Sequence, residues 1–213
     1  MERSLEQWEE LFEKKVAELN SGGDPAHDLA HFKRVVKTAR ALALEEGAEL
    51  EVVIPAAWLH DYVNVPKDDP RRPQASRMSA EAARSFLSEI CYPECHLEWI
   101  VHAIEAHSFS AGIVARTIEA QVVQDADRLD GLGAIGVARC FTVAGCLGQR
   151  LYDPDDPMAE RRALDDSRNT VDHFFVKLFK SAESLQTRAG RAEGIRRLEF
   201  MKAYLGELRL EIS

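Results

Sequence analysis

Residues 25–36 read Pro-Ala-His-Asp-Leu-Ala-His-Phe-Lys-Arg-Val-Val, and the rest of the chain supplies partners for them. Two histidines spaced i, i+4 at the start of a helix point in one direction. Asp24 is placed to cap the first-turn amides and Pro25 suits the first helical position, which puts His27 in turn one and His31 in turn two. Phe32, Val35, Val36, Ala39, Leu42 and Ala43 then recur at helical spacing, so the spacing predicts a helix running toward Gly47.

Working outward, the same periodicity returns without the long β-branched alternation that announces a sheet. Residues 1–13 alternate acids with Leu5, Trp8, Leu11 and Phe12, an amphipathic helix rather than a signal peptide. Residues 51–61 form a largely buried helix that tolerates Pro55 in its first turn and ends on His60-Asp61. Residues 63–75, with three prolines and Lys67, Arg71 and Arg72, read as a polar loop. Residues 79–90 are helical again. In the next helix Leu97, Ile100, Val101 and Ile104 mark the apolar face, His107 flanks it and His102 points nearly opposite. Residues 118–147 make a long helical stretch bent at its glycines and carrying Asp125, Asp127 and Asp130. An acidic loop over 151–166, a helix through Val171, Phe174 and Phe179, and a charged helix over 192–210 complete an all-α chain.

The composition narrows the function classes. With 213 residues and 46% hydrophobic content the chain can bury a full core, and its length suits one domain. A net charge of -9 repels polyphosphate backbones, which argues against nucleic-acid polymers as partners. No apolar run approaches the roughly 18 residues that cross a bilayer, so no membrane role is expected, and the chain reads as cytoplasmic. Of four cysteines, Cys91 and Cys95 are spaced by three residues with no second pair at zinc-finger distance, and Cys140 and Cys146 lie in an apolar segment.

A divalent ion needs several oxygen and imidazole donors from separate elements, with a coordination place left open. His31, the His60-Asp61 pair and an aspartate of Gln124-Asp125-Ala126-Asp127-Arg128-Leu129-Asp130 offer such a set. Adjacent His-Asp at the end of an apolar helix is costly as mere packing. Asp127 and Asp130, spaced i, i+3, share a helix face.

This order of His, then His-Asp, then Ala-Asp on a long helix resembles the HD-domain superfamily of metal-dependent phosphohydrolases. The flanking text is similar to one bacterial, nucleotide-hydrolysing branch: Ser-Phe-Ser-Ala-Gly at 108–112, the Gln-Asp-Ala-Asp-Arg-Leu-Asp run, and Asp-His-Phe at 172–174 with Lys177. The resemblance implies a single HD-domain helical bundle over 1–213 with helical N- and C-terminal elaborations. It makes His31, His60, Asp61 and Asp127 the ligands of one divalent metal ion (Mn, Mg, Ni, Co or Fe), with Asp125 as the fallback. It places Asp61, His107 and Asp28 in the chemistry, and His27, Asn64, Lys67, Asp130, His173 and Lys177 around a small phosphorylated substrate, a nucleotide. Lys67, Arg71 and Arg72 are candidates for a phosphate clamp, and a homodimer is left open.

Asn64 departs from the pattern, because several members carry a carboxylate three places after the His-Asp aspartate. Asparagine has no proton to exchange, so water activation falls to Asp61, His107, Asp28 or the metal. Two other classes stay open: an inactive nucleotide-binding sensor, and a di-iron oxygenase of the same fold using His102 and His107.

Overall fold

The computed structural model describes residues 3–19, 28–65, 69–108 and 111–212, which fall into two compact units, Met1–Asp127 and Arg128–Ser213. Among the described residues the structure is all-α, and one isolated bridge between Arg150 and Asn169 is the only extended pairing.

In the first unit, α1 (Leu5–Leu19) buries Trp8, Phe12 and Val16, one per turn on a single face. Helix α2 (Leu29–Glu46) begins later than the sequence suggests. Its cap is Asp28, whose side chain accepts the His31 N–H at 2.9 Å, and it ends at Gly47 in the left-handed region (φ 70°). An expected cap at Asp24 and a first turn carrying His27 lie outside the described residues. Helix α3 (Leu50–Leu59) is buried at every position from Val52 to Leu59, and α1, α2, α4 (Ala75–Glu89) and α5 (Glu94–His107) pack around it. A short 3-10 turn, Arg72–Gln74, leads into α4, which starts four residues before the expected helix. Helix α6 (Ile118–Asp130), capped by the Thr117 hydroxyl on the Ala120 N–H, buries Val122, Val123, Ala126 and Leu129 completely.

Pro55 sits inside α3, not in its first turn, and lacks the N–H that would bond the Glu51 carbonyl. The Tyr92 hydroxyl takes that place, donating to Glu51 O at 2.6 Å. The same ring meets Trp8 edge-on at 5.1 Å and Phe12 at 5.9 Å, so α1 is held to the loop between α4 and α5. Burial above all, reinforced by the Glu51 and Glu49 carboxylates, raises the Tyr92 pKa and keeps the phenol a donor.

In the second unit the expected long helix is interrupted after Asp130, and α7 (Gly133–Cys146) begins at Gly133 with φ 69°. A Cβ at Gly136 would stand 2.2 Å from the Gly131 carbonyl oxygen, so the break requires glycine there. Arg197 from α10 (Arg188–Glu211) donates to the Leu129 carbonyl at 2.5 Å, joining the Leu132 N–H on that carbonyl at the end of α6. Helices α8 (Thr170–His173) and α9 (Phe179–Glu183) flank a π-helical turn, Phe174–Leu178. Buried Asp172 accepts both arms of Arg162 at 2.5 and 2.8 Å and the Asp165 N–H at 2.6 Å, tying the preceding acidic loop to α8.

Tyr92→Phe keeps the ring and removes the donor, leaving the Glu51 carbonyl without its partner. It should cost about 1 kcal/mol, read by calorimetry as a melting temperature lower by roughly 2–4 °C. An unchanged melting temperature would show that water replaces the phenol at no cost.

Candidate metal centre

The donors come from the ends of helices in the first unit. The Asp28 cap fixes the first turn of α2 and turns His31 inward, where it is 1% exposed. His60 closes α3 and is fully buried; its Nδ1 lies 2.8 Å from the Ala57 carbonyl, which only an N–H can satisfy. His107, the last residue of α5, repeats the device with Nδ1 donating to Ile104 O at 2.6 Å. In both rings the helix C-terminal carbonyl three residues back sets the tautomer and leaves Nε2 facing the cluster. Asp127 arrives from α6 one turn after the buried Gln124.

His31 Nε2 and His60 Nε2 stand 3.3 Å apart, and each is 3.7–3.8 Å from Asp127 Oδ1. Asp61 links this group to a second one, with Oδ2 3.7 Å from His60 Nε2 and Oδ1 3.5 Å from His107 Nε2. Donor atoms of His31, His60 and Asp127 all lie within 4.8 Å of one another, as do those of His60, Asp61 and His107.

Burial pushes the His60 pKa down to about 4, against the pull of Asp61 and Asp127, so the imidazole is neutral at pH 7. His107 moves the other way. Burial opposes its protonation, but the hydrogen bond and charge of Asp61, then the charge of Asp127, outweigh that and raise it.

The residues fit a divalent cation. Ligand atoms about 2.1 Å from a shared ion stand roughly 3.0–3.4 Å apart, and the His31–His60 separation of 3.3 Å matches that spacing. A neutral buried imidazole and carboxylates are the donor types such ions take, and the ring tautomers are already set for it.

Comparison with known proteins agrees with this geometry. The family model for the HD domain matches residues 28–132, the stretch that contains every one of these donors. The uncharacterized protein YpgQ of Bacillus subtilis (strain 168) is 31% identical over 190 residues, 87% of this chain and 84% of that protein. The chain belongs to the HD-domain superfamily of metal-dependent phosphohydrolases. The crystal structure of B. subtilis YpgQ in complex with ADP superposes with a TM-score of 0.74 at 30% identity, covering 96% of this chain and 97% of that one. An HD-superfamily hydrolase from Bacillus thuringiensis gives a TM-score of 0.77 at 27% identity, covering 98% of each chain.

Within this HD domain the cluster brings together His31, His60, Asp61, His107 and Asp127. Asp125, the fallback ligand, is fully buried and belongs to neither donor group. Asp28 acts through its cap on His31. Asn64 is exposed, and His27 and Lys67 lie outside the described residues. Arg71 is forked onto Asp69, and Arg72 donates to the Val65 carbonyl at 2.5 Å, so both guanidinium groups are engaged inside their loop. His102 accepts the Arg116 backbone N–H at 3.1 Å and is in neither group. In the second unit Asp130 is buried and ion-paired with Arg139 at 2.5 Å, His173 pairs with Asp166 at 2.9 Å, and Lys177 is exposed on the π-helical turn. The sequence reading places His107 in the chemistry beside the substrate; its sharing of Asp61 with His60 was signalled only by its place at a helix end beside an apolar face.

His31→Ala, His60→Ala and Asp127→Ala should each weaken Mn2+ binding, measured by titration calorimetry, by more than the ten- to hundredfold typical of outer-shell changes. Asp125→Ala should bind Mn2+ like the wild type, and the reverse pattern would exchange the two aspartates. A second prediction concerns the metal-stripped protein. The folded His60 pKa is depressed, so between pH 6.5 and about 4 the unfolded chain binds the extra proton and acid destabilises the fold. The loss over that window should be on the order of 3 kcal/mol, read as the difference between wild type and His60→Gln in urea melts. A parallel pH profile for the two proteins would refute it.

Proposed function

We propose that this HD-domain hydrolase cleaves phosphate ester or anhydride bonds of nucleotides. The observation that carries the reading is the convergence of His31, His60, Asp61 and Asp127 beside His107. The ADP bound to its relative YpgQ supports a nucleotide ligand. When bound at His31, His60, Asp61 and Asp127, a divalent cation supplies a Lewis acid for the phosphoryl group and for a water.

The chain's own residues do the rest. Asp61 presents its two oxygens to two histidines, and the oxygen facing His107 is placed to accept a proton from an attacking water. His107, held by the Ile104 carbonyl and favoured in its charged form by Asp61, donates a hydrogen bond or a proton to a phosphate oxygen. His60 stays a neutral lone-pair donor, and His31 faces it across 3.3 Å. The Asn64 amide, exposed three residues after Asp61, donates to the substrate without exchanging a proton. By resemblance to the family His27 hydrogen-bonds phosphate oxygens or the attacking water, and Lys67 adds positive charge as a phosphate clamp.

The second donor group, His60-Asp61-His107, favours one alternative, a two-metal site of the kind that di-iron oxygenases of this fold use. Metal analysis and a phosphate-release screen over nucleoside mono-, di- and triphosphates, ADP included, separate the readings. We expect release with Mn2+, Mg2+, Ni2+, Co2+ or Fe2+ that EDTA abolishes, and a kcat lowered about 10²–10⁴-fold in His107→Gln with metal content kept. Nucleotide binding without turnover in metal-loaded protein would make the chain a sensor. Two irons per chain without phosphate release would make it an oxygenase.

A further inference from the structure

Gln124 lies in the metal-bearing helix α6 and is 4% exposed. Its Nε2 donates to the Ala106 carbonyl at 2.6 Å. Ala106 is in the last turn of α5, where carbonyls have no partner within the helix. Two of those carbonyls are satisfied by side chains of this region: Ile104 O by His107 Nδ1 and Ala106 O by Gln124. After His107 the chain leaves the helix at Ser108 in extended conformation, so nothing helical follows to hold the turn in place.

We infer that Gln124 is a positioning residue for His107: it ties the end of α5 to the helix carrying Asp127 and so fixes the His107 imidazole against Asp61. The bond is buried and joins two helices, tying the residue next to His107 to the residue one turn before Asp127. Without it the final turn of α5 frays, the Ile104 carbonyl moves with that turn, and Nε2 of His107 loses its 3.5 Å approach to Asp61. The His31–His60–Asp127 group holds no atom of α5, so its affinity for a cation is left intact. A chemical step that depends on His107 slows sharply when that group is misplaced by even an ångström.

The role in turnover rests on the proposed phosphohydrolase reading, and the test has one arm that does not. Gln124→Met keeps the length and removes the donor; should it fail to fold, Gln124→Asn, with the amide on a shorter arm, carries the same comparison. In the first arm, amide hydrogen exchange of the folded, metal-free protein should quicken in the peptide ending at His107 and stay unchanged in α1 and α4. In the second, kcat with Mn2+ should fall about tenfold, the lower end for outer-shell partners, with KM for the nucleotide and the Mn2+ affinity unchanged. The loss should vanish in a His107→Gln background, since a group already removed cannot be misplaced. Unchanged exchange at the end of α5 overturns the inference. So does an additive double variant, which makes Gln124 a general packing residue. If the wild type releases no phosphate from any nucleotide, the functional reading fails and the exchange arm alone decides the positioning of His107.

Discussion

Two imidazole nitrogens held 3.3 Å apart in the interior, His31 Nε2 and His60 Nε2, are the constraint around which the first unit is built. The His60 Nε2 lone pair needs a proton or a cation opposite it at this distance, and burial makes the charged form of His60 costly. The fold answers by holding the rings rigidly. His60 is anchored by Ala57 O, and His31 sits in a capped first turn. The energy for that preorganisation comes from α3, whose surface is buried from Val52 to Leu59 and packed by four neighbouring helices.

The interior of that unit contains a second compensated defect. Pro55 breaks the hydrogen-bond ladder of α3 five residues before His60, and Tyr92 repairs it from the loop before α5. The helix that presents His60 is thus tied to the segment leading into the helix that presents His107. At both of their C-terminal ends a carbonyl three residues back orients the histidine ring. A helix end, normally a place of unsatisfied groups, here serves as the mount for a donor. The second unit manages its own helix ends with arginine, Arg197 on Leu129 O and Arg128 on Ser184 O.

The all-α class, the helix hosting each donor and the order His31, His60-Asp61, Asp127 were legible in the chain, because apolar spacing and short motifs are local properties. The same locality explains the discrepancies. Asp28 caps α2, its carboxylate reaching the His31 N–H, and the expected cap at Asp24 lies outside the described residues. The glycines at 131, 133 and 136 announced a bend, and the full interruption is possible because Gly136 has no Cβ to clash with the Gly131 carbonyl.

Sequence by itself determined which residue types could hold an ion and on which helices they ride. Helical spacing alone did not choose among Asp125, Asp127 and Asp130, since a helical wheel gives directions about one axis and says nothing of how that axis is rotated against its neighbours; the choice of Asp127 came from the family resemblance. In the packed structure Asp127 groups with His31 and His60, Asp125 is buried and in neither donor group, and Asp130 meets Arg139. Ring tautomers, the opposed pKa shifts of His60 and His107, and the Gln124 tie to Ala106 likewise exist only in three dimensions. The tautomers depend on the helical turn before each ring, the pKa shifts and the Gln124 tie on burial and on groups distant in the chain, and none of the three is spelled out by residue type alone.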